Sequence, residues 1–248
     1  MHWTEEPHTS GTLVRRRFSI QADGRSVPGV LWLQNGEDGQ PRGRRPLVLV
    51  GHGGSQHKES DAVLDVARGL AGDHGYAVAS IDGPVHGGRR ADGGLDGDRV
   101  LADFRAMWSI GPRIPEMVAD WHAVINALAG LDEVDEDAIG WFGLSMGNAY
   151  GMPVCAAEGT RIRAALLGMW GISRPGSEGI LVAAKELRCP VLYQRKSEDE
   201  RFTREGQEAL FDAIGSADKE LRVYPGLHVN PTGEQLQDGL DFLRRHLG

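Results

Sequence analysis

The sequence has little of what marks several protein classes. Cysteine is nearly missing: Cys155 and Cys189 are the only two among 248 residues. Both lie in apolar surroundings at no metal or redox spacing, so a disulfide framework is not expected and each reads as a small buried residue. No apolar run approaches the ~20 residues needed to cross a bilayer. Met1 to Arg17 holds Glu5, Glu6 and three consecutive arginines but no continuous apolar stretch, unlike a secretion signal, so a cytoplasmic protein without a membrane partner is expected. Basic residues are outnumbered, 27 Lys and Arg against 35 Asp and Glu, for a net charge of −8. A nucleic-acid binder needs a basic face to release counterions, so no such partner is predicted. The local exceptions, Arg15 to Arg17 and Arg42 with Arg44 and Arg45, read as solvated strand edge and loop. The H-E-x-x-H spacing, the phosphate-cradling G-x-x-x-x-G-K and a G-x-G-x-x-G after the first parallel strand are all missing, which predicts neither metal nor nucleotide cofactor.

What is present is a chain with 40% hydrophobic and 25% charged residues, enough to bury a sizeable core in a single domain spanning 1–248. Thr12 to Gln21 and Val27 to Gln34 are β-rich and flank an Asp-Gly turn, which predicts an antiparallel hairpin at a sheet edge. Asn35 to Pro46 is a loop crowded with glycine, proline and charge. Pro46 to Val50 is apolar without alternation, as in a parallel strand buried on both faces. From there the patterns alternate. Helices are expected over 60–74, 115–131, 148–157, 180–187, 203–214 and 233–247, with strands over 76–81, 139–142, 162–170, 190–194 and 220–224. Asp82 to Ser109, dense in glycine, reads as a wandering loop with a helical turn near 100–108. The sum is an α/β fold, a mostly parallel sheet with helices on both faces.

In such a sheet the reactive groups gather beyond the carboxyl ends of the strands. Those positions hold His52-Gly53-Gly54, Asp82 and His86, Ser145, Glu198 and Asp199, and His228. Ser145 lies in Gly143-Leu144-Ser145-Met146-Gly147, a strand-to-helix turn whose glycines let strand and helix cross closely. Ser145, Asp199 and His228 follow in the order nucleophile, acid, base. A serine hydroxyl needs an imidazole to take its proton, and the imidazole needs a carboxylate to fix its tautomer and stabilise its cation.

With these motifs the chain resembles an α/β-hydrolase over nearly its full length, most of all the dienelactone-hydrolase-like and small-esterase branch. The resemblance rests on His52-Gly53-Gly54, Gly143 to Gly147, Lys196 to Asp199, and Tyr224-Pro225-Gly226-Leu227-His228. It implies Ser145 as nucleophile, His228 as general base and the backbone N–H groups of Gly54 and Met146 as oxyanion donors. Family acid loops commonly carry a glycine three residues before the catalytic aspartate. Lys196 stands there instead, which leaves Glu198 as a rival to the favoured Asp199.

Only about 20 residues separate the strand ending near Trp170 from the one starting at Pro190, too few for a multi-helix lid at ~1.5 Å of rise per residue. The site should therefore be open, with Trp170, Met169, Trp108 and Met146 as apolar walls. His52 should shape the oxyanion turn, while His57 and His86 should lie near the pocket rim. The leading expectation is a carboxylic ester hydrolase acting on a small molecule through an acyl-enzyme on Ser145. Its alternatives are a thioesterase, amidase or carbon–carbon bond hydrolase with the same residues, and a non-catalytic binding protein of this fold. An imidazole base predicts a rate that falls on acidification near or somewhat above pH ~6.5.

Overall fold

The computed structural model describes residues 1–35 and 43–248, so Arg42 and most of the loop expected over 35–46 lie outside the described residues. Two short strands, β1 (His2–Trp3) and β2 (His8–Ser10), both pair with β3 (Leu13–Ala22), which turns back into β4 (Arg25–Gln34). The predicted Asp-Gly turn is there, with φ of 48° at Asp23 and 75° at Gly24, the left-handed pair that a two-residue hairpin loop needs. The hairpin is not the edge of the sheet, however. β1 and β2 lie outside β3, too short to carry the alternation by which a strand is read from sequence.

The remaining strands are β5 (Arg45–Gly51), β6 (Ala77–Ile81), β7 (Val134–Gly143), β8 (Ile162–Gly168), β9 (Val191–Lys196) and β10 (Lys219–Tyr224). They continue the sheet from β4 in the order β6-β5-β7-β8-β9-β10, antiparallel at β4–β6 and parallel thereafter. Strand β5 shows why its sequence lacks alternation. Leu47 and Leu49 pack on one face with Met117, Trp121 and Ile125, whereas Val48 and Val50 pack on the other with Val63, Val66, Leu240 and Leu243. All four are at most 2% exposed, and each buried side chain of this kind stabilises the fold by about 1.5–3 kcal/mol.

Helices α1 (Asp61–Ala67), α2 (Gly97–Ile110), α3 (Ile114–Ala129), α4 (Met146–Glu158), α5 (Glu178–Glu186), α6 (Arg204–Asp212) and α7 (Gly233–Leu247) complete the chain. α1 and α7 cover one face, and α3 to α6 the other. Helix α2 corrects the expectation of a single turn: it has 14 residues, capped by the Asp96 carboxylate, which accepts from the Arg99 N–H at 2.9 Å. Its buried residues Val100, Phe104, Met107 and Trp108 keep helical spacing, but Gly93, Gly94 and Gly97 obscure its start. The segment between β8 and β9 contains only the nine-residue α5, in keeping with a minimal lid.

The arginine run stays partly exposed but is paired as well as solvated. Arg17 Nε donates to Glu59 at 2.8 Å, Arg15 pairs with Glu5 at 3.1 Å, and the Arg16 guanidinium stacks 3.8 Å from the Trp3 ring centre. Arg44 is exposed as expected, but Arg45 is buried. Cys155 and Cys189 are buried free thiols, and burial raises both, Cys189 to about 11. Among the described residues no helix is long and apolar enough to cross a membrane.

Candidate active site

Strand register assembles the site. Gly51 at the end of β5 pairs with Gly143 at the end of β7, so the turn starting at His52 meets the turn holding Ser145. On the flank, Lys196 of β9 pairs with Tyr224 of β10, which sets the loops of Asp199 and His228 side by side. β5 lies between β6 and β7, where the chain reverses its direction of travel across the sheet. This switch point leaves a crevice beyond the strand ends.

Ser145 sits at φ 57° and ψ −122°, a conformation that costs an L-residue on the order of 1–3 kcal/mol and persists only where surrounding packing enforces it. The enforcing contacts are visible at the two glycines. A Cβ on Gly143 would collide with the Gly147 carbonyl oxygen and Trp141 Nε1, and one on Gly147 with the Gly51 carbonyl oxygen.

From this turn a continuous hydrogen-bonded chain runs outward. Ser145 Oγ lies 2.9 Å from His228 Nε2, and His228 Nδ1 lies 2.9 Å from Asp199 Oδ2. The carboxylate is itself fixed: Oδ1 accepts from the N–H groups of Arg201 at 2.9 Å and Phe202 at 3.0 Å, and Oδ2 accepts from Gln207 Nε2 at 3.2 Å. Burial alone would push the Asp199 carboxyl up, but the His228 hydrogen bond and charge together with those donors outweigh it and hold it below the usual range. Glu198 is exposed, and only its backbone N–H takes part in the loop, donating to the Gly226 carbonyl at 3.1 Å. The residue after Asp199 has a role that no motif signals: Glu200 Oε2 accepts from the backbone N–H of His228 at 2.8 Å. Asp199 thus holds the imidazole and Glu200 holds the main chain that carries it.

Across from the imidazole, among the described residues no hydrogen bond occupies the N–H of Gly54 or of Met146. The Gly53 N–H, by contrast, is taken by Gln56 Oε1 at 2.9 Å. His52 shapes this turn as expected. Its Nδ1–H donates to the Gly53 carbonyl and its Nε2 accepts from the Gly83 N–H, both at 2.9 Å, a pattern that requires the neutral ring. Burial, with the nearby His86, pushes its pKa down to about 3 and agrees with that tautomer. His86 is not at a pocket rim: it is fully buried behind the turn, with Nε2 3.0 Å from the Gly54 carbonyl oxygen. His57 lies in a separate groove with Arg15 and Arg17.

Beneath the turn, the fully buried Asp82 accepts from Lys58 Nζ at 2.8 Å and from the backbone N–H groups of Lys58 at 2.9 Å and Gly88 at 2.8 Å. Burial raises the Asp82 carboxyl, but the Lys58 charge and hydrogen bonds win and hold it below its ordinary value. Lys58→Met should therefore cost about 3 kcal/mol at neutral pH, since it strands a buried carboxylate. A depressed carboxyl stabilises the fold above its unfolded value of about 4 and loses that contribution as pH falls through the depressed one. In the variant the backbone donors remain but the lysine charge is gone, so burial weighs more heavily, the carboxyl shifts up relative to wild type, and acidification relieves part of the penalty. Urea unfolding should show the wild-type advantage shrinking as the pH drops, and an advantage that grew instead would refute this account.

A cavity of about 240 Å³ opens at Ser145 and His228. Val50, Val63, Phe142, Leu144 and Met169 form its apolar wall, with Gln56, Arg201 and Asn230 among its polar lining. Of the expected walls, only Met169 lines it. Trp108 and Trp170 are 4% and 2% exposed, their indole N–H groups committed to the Pro175 carbonyl and Ser177 Oγ. They belong to a ring column, Phe104-Trp108-Trp170-Phe202, whose last ring centre lies 5.5 Å from that of His228. Phe202 is the ring beside the imidazole, and neither tryptophan lines the cavity. The Met146 side chain is buried against Gly83 and does not line the cavity. Among the described residues no group of three His, Cys, Asp or Glu side chains converges as a metal cage.

No protein-family model matches the chain, and comparison with curated proteins finds no match. Solved structures do match. A cold-adapted esterase from an Arctic intertidal metagenomic library, in a polyethylene-glycol-bound complex, superposes with a TM-score of 0.87 and 34% identity over the whole of both chains. An acetyl xylan esterase from Paenibacillus superposes at 0.73 with 16% identity, over 98% of this chain and 88% of that one. A dienelactone hydrolase-like promiscuous phosphotriesterase from metagenomic libraries superposes at 0.74 with 17% identity, over 96% and 100%. Identity of this degree over the full length of the first goes beyond a shared architecture: the chain belongs to the α/β-hydrolase superfamily, among its small esterases.

Proposed function

We propose that this protein is a serine hydrolase that cleaves small carboxylic esters through an acyl-enzyme on Ser145. The observation that carries the reading is the unbroken chain from Ser145 Oγ through His228 to Asp199. Ser145 Oγ attacks the ester carbonyl carbon while His228 Nε2 takes the hydroxyl proton, and Asp199 stabilises the imidazolium. The carbonyl oxygen, now an oxyanion, accepts from the free N–H groups of Gly54 and Met146. On collapse the C–O bond breaks and Nε2 returns the proton to the departing alkoxide, releasing the alcohol. Water then repeats the sequence on the acyl-enzyme, with its proton passing to Nε2 and on to Ser145, and the carboxylic acid leaves.

The open, partly apolar cavity suits a small ester with an apolar acyl or alcohol portion. A fluorophosphonate probe at neutral pH should label the wild-type protein at Ser145, and p-nitrophenyl esters should give a burst equal to the enzyme concentration. Thioester, amide and ester substrates compared side by side identify the preferred bond. A protein that neither labels nor turns over esters is a binding protein of this fold, and the proposal fails.

A further inference from the structure

We propose that Gln56 is a positioning residue: its side-chain amide ties the oxyanion turn to the histidine loop, holding the Gly54 N–H and the His228 imidazole in fixed relation across the cavity. The inference rests on the serine-hydrolase reading above. Its basis is a two-link bridge. Gly53 N–H donates to Gln56 Oε1 at 2.9 Å, and Gln56 Nε2 donates to Asn230 Oδ1 at 2.6 Å. Both side chains line the cavity that opens at Ser145, and Asn230 stands two positions beyond His228. The amide orientations follow from the network. The backbone N–H must meet an oxygen, so Oε1 faces Gly53, Nε2 faces Asn230, and Asn230 must present its own oxygen.

The bridge matters for chemistry because it grips the peptide unit adjoining the one that carries the Gly54 N–H. Gln56 holds Gly53 twice, with Oε1 on its N–H and with the Gln56 backbone N–H on its carbonyl at 3.1 Å. The Gly53 carbonyl and the Gly54 N–H belong to one planar peptide unit and point in opposite directions. That carbonyl is held by His52 Nδ1–H and the Gln56 backbone N–H, while the Gln56 side chain steadies the preceding peptide unit through the Gly53 N–H, so the side chain acts on the Gly54 N–H by holding the peptide next to it. The side chain also removes the Gly53 N–H as a competing donor beside the Gly54 N–H. Its far end then anchors that turn to the loop whose histidine supplies the proton. Preorganised donors act only if they are already placed where the charge develops, so loosening this tie should be felt in the transition state more than in substrate binding.

Four variants test it: Gln56→Ala, Asn230→Leu, Asn230→Asp, and the double variant of Gln56→Ala with Asn230→Leu. Losing an oxyanion donor outright costs on the order of 10²–10³ in turnover, so loosening the aim of one should lower kcat by about tenfold in Q56A. KM should move by less than about twofold, and binding of a trifluoromethyl ketone, which forms an oxyanion on serine, should weaken in step with kcat. N230L should lose part of that effect, and N230D should recover most of it, because a carboxylate still accepts from Gln56 Nε2. The double variant should be no slower than Q56A alone, since both changes cut one bridge. An unchanged kcat in Q56A, a loss confined to KM, or effects that multiply in the double variant would each overturn the inference. Asn230 is exposed, so N230L and N230D carry the test if Q56A does not fold. If the wild-type protein hydrolyses no ester and ignores the ketone, the serine-hydrolase reading fails. If it does both while the variants behave as wild type, only the role of Gln56 fails.

Discussion

Ser145→Ala should lower kcat for a short p-nitrophenyl ester by on the order of 10⁵-fold, because it removes the atom that forms the acyl bond and leaves only the oxyanion donors and binding. Stability should respond differently. Alanine inherits the φ of 57° and its strain, whereas glycine adopts that conformation freely. Ser145→Gly should be as inactive as the alanine variant yet more stable by about 1 kcal/mol. Steady-state kinetics and thermal unfolding on the two variants check both halves. Retention of most esterase activity by S145A would show that another group carries the reaction. A melting point for S145G at or below that of S145A would show that the turn is not strained by its side chain.

Asp199→Asn should cost about 10⁴ in kcat with little change in fold, through the wrong tautomer of its neighbour. One carboxylate oxygen accepts from two main-chain N–H groups, and the other accepts from both His228 Nδ1 and Gln207 Nε2. An asparagine must keep its oxygen toward the main-chain donors, so its NH₂ faces the imidazole. The ring then accepts at Nδ1, carries its hydrogen on Nε2, and cannot take the Ser145 proton. Glu198→Gln, by contrast, alters an exposed side chain and should leave kcat within about twofold. Comparing the two by kcat on one ester separates the rivals, and equal losses would remove Asp199 from its assigned role. Because the Asp199 carboxyl is held below its ordinary range, it stays ionised while an imidazole protonates. The acid limb of the wild-type rate profile should accordingly not come from Asp199.

The legible parts of this chain were those in which neighbouring residues decide the structure. The unbroken apolar run Leu47 to Val50 requires cover on both faces, and Asp23-Gly24 requires a tight turn. Gly143 and Gly147 are where a sharp turn admits no Cβ. The poorly legible parts depend on partners far away in sequence. Helix α2 follows a glycine cluster that masks its start, and its buried face is defined by the rings it meets. Trp108 and Trp170 have the composition of a pocket wall, but they pack in a column of rings whose last member, Phe202, and not either tryptophan, meets His228.

Alone, the sequence determined the α/β architecture and the serine at its strained turn. It also determined that an acid and a histidine follow at later strand ends, because these properties reside in local periodicity, steric demand and chain order. Tertiary structure alone decided that Asp199 and not Glu198 reaches His228, that Glu200 holds the histidine's main chain, and that Gln56 meets Asn230 across 174 positions. These are matters of side-chain direction and strand register. Adjacent residues in a loop can point opposite ways, and residues far apart become neighbours only when parallel strands such as β9 and β10 align their ends.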